Sequence, residues 1–220
     1  LKQSASQVLF NDYDAVQSEI YWVRDLGQYN AANTAKLSTF NTYFGGGMSS
    51  VVFQTIREAK ALAYSTYAFV QTPAKKEDDY TFIGYVGSQA DKMNEAINSM
   101  NDLLKDLPKT EQNFDFAIKS QKKDIETQRI TKDGIIFSYL AARKKGLNED
   151  LRKTVYNQLD KLTLNDIAAY HQQQFQNQPF TYTVIASEKR INLDDLKKYG
   201  DVKKVSVDEL FGFENSNRAF

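Results

Sequence analysis

Arg57 and Tyr64 are the two residues of this sequence whose types and spacing suggest chemistry. They lie seven positions apart within FNTYFGGGMSSVVFQTIREAKALAYSTY, residues 40–67. Arginine brings a fixed charge and a rigid fork of N–H donors, and tyrosine a phenolic O–H. On an unbroken helix, residues seven apart share one face. Here the helix is expected to end near Lys60, so that Tyr64 starts a strand and the pair meets across the junction. Two such donors can hold the carbonyl oxygens of a peptide and a developing oxyanion. The plainer reading is a surface arginine beside a half-buried tyrosine, and the side-chain chemistry alone leaves both open.

Other chemistry is poorly served. A phosphate-binding loop needs a lysine before Ser or Thr in a glycine-rich turn that follows a strand. GGGMSS, residues 45–50, has no lysine and follows a helical segment, so it reads as a helix–helix corner. Catalytic zinc usually takes three protein ligands, mostly histidine, and His171 is the one histidine present. Gln174 and Phe175 stand where the inverted zinc motif H-x-x-E-H needs its glutamate and second histidine. His171 therefore reads as a polar helix residue, and no nucleophile-elbow sequence offers it a serine partner. The absence of cysteine rules out disulfides, thiolate chemistry and Cys-based zinc sites. Glu77-Asp78-Asp79, Glu149-Asp150 and Asp194-Asp195 read as solvated surface charge. Lys plus Arg equals Asp plus Glu, 28 against 28, which argues against a general nucleic-acid binder. Tyr64, Tyr67 and Phe69 are expected to cover sheet faces rather than to stack bases. No apolar run approaches the roughly 20 residues of a membrane span. No signal peptide is visible and the chain opens on Leu1, so a fragment or processed product is expected.

The elements that must position the pair follow from periodicity. Val8–Phe10 and Glu19–Val23 are strand-like, with Asn11-Asp12 and Asp14 as breaks. Residues 30–44 are helical, and Gly45–Gly47 stop them. Ser49 or Ser50 caps a helix to about Lys60 that carries Val52, Phe53 and Ile56 on one face. Residues 62–72 and 80–87 alternate with period two around a charged turn and form an antiparallel hairpin. Ser88, three before Asp91, reads as a capping box for a helix over 90–107 with Leu103 and Leu104 buried. A helix over 111–129 buries Phe114, Ala117, Ile118, Gln121 and Ile125, and Asp133-Gly134 interrupts the helical pattern before Ile135–Lys145. Leu151, Val155 and Leu159 carry a further helix, and Thr163 and Asp166 cap another. Residues 180–187 are an apolar strand, 193–199 a short helix, 203–207 a last strand and 214–220 a frayed tail. A chain of 220 residues buries roughly 70% of its unfolded surface. Without a linker or repeat, the order predicts one α+β domain over 1–220, a two-layer sandwich whose antiparallel or mixed sheet carries helices on one face.

The opening stretch also carries a resemblance. Gly46, Gly47, Ser49, Ser50, Phe53, Arg57, Glu58, Leu62, Ala63, Tyr64 and Ser65 match a block of the insulinase/pitrilysin peptidases, the inverted-zinc-motif family that includes mitochondrial processing peptidase. The order of later elements is similar over nearly the whole chain. One departure is Ala61, where glycine is usual, and a tight corner is the expected site of the difference. The resemblance implies a zinc-free, C-terminal-type domain of a zinc metalloendopeptidase. In that family one half carries H-x-x-E-H, zinc and the glutamate base, and a domain of the other half grips the substrate backbone through an Arg and a Tyr. Carried over, Arg57 and Tyr64 contact the substrate carbonyl and oxyanion, this chain holds no metal or cofactor, and zinc lies on a complementary half. The implied partners are that half, on the same or a separate chain, and a peptide. The alternative within the same fold is a non-catalytic scaffold or peptide-binding subunit. For location the resemblance implies a bacterial periplasm or envelope, with the cytoplasm as the alternative.

Overall fold

A computed structural model describes residues 3–212. Its six strands are β1 (Gln7–Asp12), β2 (Gln17–Gln28), β3 (Ser65–Gln71), β4 (Asp79–Gln89), β5 (Thr181–Ala186) and β6 (Asp201–Lys204). The helices are α1 (Thr34–Phe44), α2 (Met93–Lys105), α3 (Glu111–Thr127), α4 (Lys132–Lys144), α5 (Arg152–Leu159), α6 (Leu164–Phe175) and α7 (Val207–Phe211). A π-helix spans Phe53–Ala59 between α1 and β3, and a 3₁₀ helix spans Leu193–Lys198 before β6.

The strands form one mixed sheet in the order β3-β4-β2-β5-β1-β6. β3, β4, β2 and β5 are antiparallel neighbours, and β1 runs parallel to both β5 and β6. Alternation along the strands decides the layers. Val8, Phe10, Ile20, Trp22, Ala68, Val70, Phe82, Val86 and Val184 face the helices and are buried. The intervening residues are half-buried or exposed, as along β3 and β5. Among the described residues, helices therefore cover one face, as the sequence predicts, and the other is left half-buried to exposed along β3 and β5. α1 and α2 supply Phe40, Phe44, Ile97, Met100, Leu103 and Leu104 to a single contiguous core. Among the described residues, no helix is long and apolar enough to cross a membrane.

Several elements differ from the sequence reading for identifiable reasons. Asn11 and Asp12 continue β1 rather than ending it, and Asn11 Nδ2 donates to the Val205 carbonyl at 2.7 Å. β3 starts at Ser65, not Leu62, because Ala61 turns the chain through a φ of 48°. Ser88 caps nothing: it extends β4, and its hydroxyl donates to the Leu62 carbonyl at 2.6 Å. Pairing of β4 with β2 through Gln89 takes that residue before the helix can. Gly134 lies in the first turn of α4, where its N–H donates to the Thr131 hydroxyl at 3.1 Å. Ile118 and Ile125 of α3 stay partly exposed, while Phe114, Ala117 and Gln121 are buried. β6 starts two residues earlier than read and ends three earlier. The capping box at Thr163 and Asp166 is present in full. The frayed tail read over 214–220 lies outside the described residues.

Candidate functional site

The corner that carries Arg57 and Tyr64 is held from three sides. α1 is clamped to the edge strand β3. Asn41 Oδ1 accepts from the Val70 N–H at 2.7 Å, and its Nδ2 donates to the Val70 carbonyl at 2.9 Å. Ala68 N–H donates to the Gly45 carbonyl at 3.3 Å. This side chain and this glycine thus occupy the outward groups of β3, which would otherwise template another strand. Gly45 has an ordinary φ of −140°. Space, not conformation, requires glycine there: a Cβ would lie 2.1 Å from the Ala68 carbonyl oxygen.

After the glycines, Ser50 Oγ accepts from the Phe53 N–H at 3.4 Å and donates to the Gly47 carbonyl at 2.8 Å. The segment then winds as a π-helix, with Lys60 N–H reaching the Thr55 carbonyl at 3.2 Å. π-turns are rare and concentrate at functional sites. The extra residue per turn separates Arg57 from a simple α-helical register. The exit is sharp: Leu62 N–H returns to the Ile56 carbonyl at 3.0 Å, with Ala61 in left-handed geometry between them. A residue with a Cβ is strained there, which gives a physical reason for the glycine usual in the resembling block. Ser88 holds Leu62 from β4, and Tyr64 N–H donates to the Gly87 carbonyl at 3.0 Å.

Both side chains face water. The Arg57 side chain is 43% exposed, lies 4.8 Å over the Phe53 ring and approaches Glu58 at 3.9 Å. Tyr64 is 76% exposed, and among the described residues no hydrogen bond engages its phenol or joins it to Arg57. The half-buried tyrosine of the plainer reading is therefore not found. The helix does end at Ala59, near Lys60, but Tyr64 precedes β3 rather than starting it.

The open sheet face beside Tyr64 carries Tyr67, as expected, together with residues that local sequence did not single out. Glu19 of β2 pairs across from Gly87, the partner of the Tyr64 backbone. One row along, Tyr67, Tyr85 and Tyr21 stand side by side, with ring centroids 4.8 and 5.0 Å apart. Tyr85 O–H donates to the Glu19 carboxylate. Burial, and then this bond to an anion, raises the Tyr85 phenol pKa well above its usual value. Burial and the neighbouring Tyr67 and Glu19 raise that of Tyr21 as well. Only strand alignment brings these residues together; the sequence separates Glu19 from Tyr85 by 66 positions.

His171 lies in α6 near its C-terminal end, as the helical reading has it, but it belongs to the core. It is buried against Phe44 and Phe175, with ring centroids 5.6 and 5.5 Å away, and its Nε2 bonds the Leu103 carbonyl at 2.8 Å. Burial lowers its pKa to about 4 against the pull of that carbonyl. Among the described residues, no three His, Asp or Glu side chains gather as a metal site. Two of the acidic pairs are tied to cations: Asp194 to Lys197, Asp195 to Lys198, and Asp150 to Arg152.

Comparison with known proteins gives two positive findings. The sequence profile of the peptidase M16 inactive domain matches residues 2–120. Solved structures share the fold at low identity. A peptidase M16 inactive domain from Pseudomonas fluorescens is 14% identical with a TM-score of 0.70, over 83% of this chain and 44% of that one. A protease from Helicobacter pylori is 14% identical with a TM-score of 0.70, over 84% and 45%. A protein described as the inactive peptidase domain of a zinc protease from Bordetella parapertussis is 12% identical with a TM-score of 0.64, over 84% and 94%. The chain thus spans less than half the length of the first two. A search of curated proteins gives no match.

Proposed function

The chain belongs to the peptidase M16 inactive-domain family, and on that premise we propose that residues 1–220 are one zinc-free, substrate-gripping domain of an insulinase/pitrilysin-type metalloendopeptidase. The zinc and the general base belong to a complementary half, on the same chain or a separate one. The relative from Bordetella parapertussis, described as part of a zinc protease, supports this reading. The residues present here do not fit a zinc site, since the single histidine is buried and bonded to Leu103.

The observation that carries the proposal is the display of two unspent donors at one braced corner. Among the described residues the Tyr64 phenol has no partner, and its backbone is fixed by Gly87. The Arg57 guanidinium is steadied on Phe53, and among the described residues its only anionic contact is a long one to exposed Glu58. Exposed pairs of that kind contribute little, so the fork remains available. In the assembled enzyme Arg57 positions a peptide carbonyl, and Tyr64 donates to the oxygen on which charge develops. Because α1 covers the outer groups of β3 at Ala68 and Val70, a peptide gains nothing by adding as a strand there.

The test uses the intact peptidase. Tyr64→Phe removes a donor that acts most strongly in the transition state, and kcat is expected to fall by roughly 10²–10³. Arg57→Ala is expected to raise KM and lower kcat together. Both variants should keep zinc content, and stability within about 0.5 kcal/mol, as exposed substitutions do. An unchanged kcat in folded, zinc-loaded Tyr64→Phe would overturn the catalytic role and favour a scaffold that keeps the fold without the chemistry.

A further inference from the structure

Helix α4 has the composition of a core helix and the surroundings of a surface one. From Gly134 to Ala142 it contains no charged residue. Ile135, Ile136, Phe137, Tyr139 and Leu140 are each 50–70% exposed, and no α4 residue is buried. At about 100° per residue, these five side chains sweep roughly 200° of the helix circumference. The remaining sector holds Gly134, Ser138, Ala141 and Ala142. A helix apolar on nearly all sides is ordinarily enclosed by protein. Scattered exposed leucines need no explanation, but a contiguous apolar patch marks an interaction site. Exposed Ile130, two residues before the helix, lines a mixed groove with Ile125 of α3, Tyr156 of α5 and the polar Asp150, Arg152, Lys153 and Asn157. Cations gather at both ends of the helix: Arg129 and Lys132 at the start, Arg143, Lys144 and Lys145 at the finish, against the single acid Asp133.

We propose that α4 seats in a groove on the zinc-bearing half of the peptidase, a groove apolar along its floor and acidic at its two ends. The identity of this occupant rests on the reading given above, whereas the need for one does not. Two observations select it. The same fold occurs inside chains nearly twice as long as this one, where it covers 44–45% of the length and so sits beside further protein. The shape of the apolar surface also discriminates. A lipid surface takes one side of a helix and needs a polar opposite side, which the middle of α4 lacks. Contact between two copies of α4 would likewise cover only one side of each. A groove encloses a helix on several sides.

The experiment compares wild type with Ile136→Glu/Leu140→Glu. Amide hydrogen exchange across 132–144 is expected to be at least about ten-fold slower in the intact peptidase than in this chain alone, because docking protects exposed helical amides. The double variant should abolish that protection. Where the halves are separate chains, it should weaken their association by roughly 100-fold or more, as loss of buried apolar anchors does. The melting temperature of the chain alone should not move, since neither side chain is buried. Tyr64→Phe should leave exchange and association untouched, so a failure here is distinct from a failure of the catalytic reading. Three results would overturn the proposal. One is equal exchange in the chain and the intact peptidase. The second is sedimentation of the chain with phosphatidylcholine–phosphatidylglycerol vesicles that the variant abolishes. The third is a concentration-dependent dimer of the chain that the variant abolishes.

Discussion

The stability of this chain should fall steeply between neutral pH and pH 5, and His171 is the reason. Its imidazole is buried among phenylalanines, and burial lowers its pKa from 6.5 to about 4. The folded state therefore resists a proton that the unfolded state accepts. For a base whose folded pKa is depressed, stability is fully present above the unfolded pKa and is lost as pH falls toward the folded one. Each pKa unit is worth about 1.36 kcal/mol. A shift from 6.5 to about 4 thus removes at most roughly 3.4 kcal/mol. At pH 5 the loss is RT ln[(1 + 10^1.5)/(1 + 10^−1)], about 2 kcal/mol, a sizeable part of a domain's total stability. Asp25, Asp150, Asp166 and Asp195 have lowered pKa values, so their contributions persist until pH falls below the ordinary carboxylate range. Urea unfolding at pH 7, 6 and 5 measures the effect. Because the chain has one histidine, its C2–H resonance reports the titration without ambiguity. His171→Gln keeps a donor for the Leu103 carbonyl and should flatten the pH dependence while lowering stability overall. A wild-type midpoint near 6.5 by NMR, or equal stability at pH 7 and pH 5, would refute the argument.

Two substitutions test the corner. Gly45→Ala places a methyl 2.1 Å from the Ala68 carbonyl oxygen, so α1 must leave β3; a loss on the order of 3 kcal/mol is expected in urea unfolding, with the intact peptidase also losing activity. Ala61→Gly relieves a left-handed alanine, worth about 1–2 kcal/mol, against about 0.4–1 kcal/mol of added unfolded-state entropy. The net expectation is a melting temperature higher by about 1–4 °C, and a decrease would show that Ala61 is not strained.

What the sequence made legible were the features governed by short-range rules. Alternation from Tyr80 to Val86 announces a strand buried on one face, and Met93, Ala96, Ile97 and Met100 announce a helix buried on one side; both stand in the fold. The glycine corner was also visible. The π-helix was not, because one extra residue per turn leaves the apolar pattern of Val52 and Ile56 almost unchanged. Ser88 satisfied a capping rule and was claimed instead by β4, where pairing with β2 and a bond to Leu62 outweigh one cap. His171 looked polar because only the folded chain surrounds it with Phe40, Phe44 and Phe175. β1 lies beside β5, more than 170 positions away, and no local pattern encodes a parallel partner. The row of Tyr67, Tyr85 and Tyr21 has the same cause: register between three strands assembles it.

The division of labour at the corner decides how its variants should be read. Asn41, Gly45, Ser50, Ala61 and Ser88 fix the path of the chain through buried or backbone contacts. Arg57 and Tyr64 add almost nothing to that framework: one guanidinium rests on Phe53 and one phenol points into water. A framework this independent of its two exposed side chains can be kept while their polar ends are removed. Loss of the Tyr64 hydroxyl removes a donor and leaves the ring, so the aromatic surface at the start of β3 persists. Activity lost in Tyr64→Phe would then report the hydroxyl's own interaction with the reacting oxygen. Activity lost in Gly45→Ala would report displacement of the whole corner. The two are separated by stability alone: the first variant unfolds with wild-type urea dependence, and the second unfolds earlier.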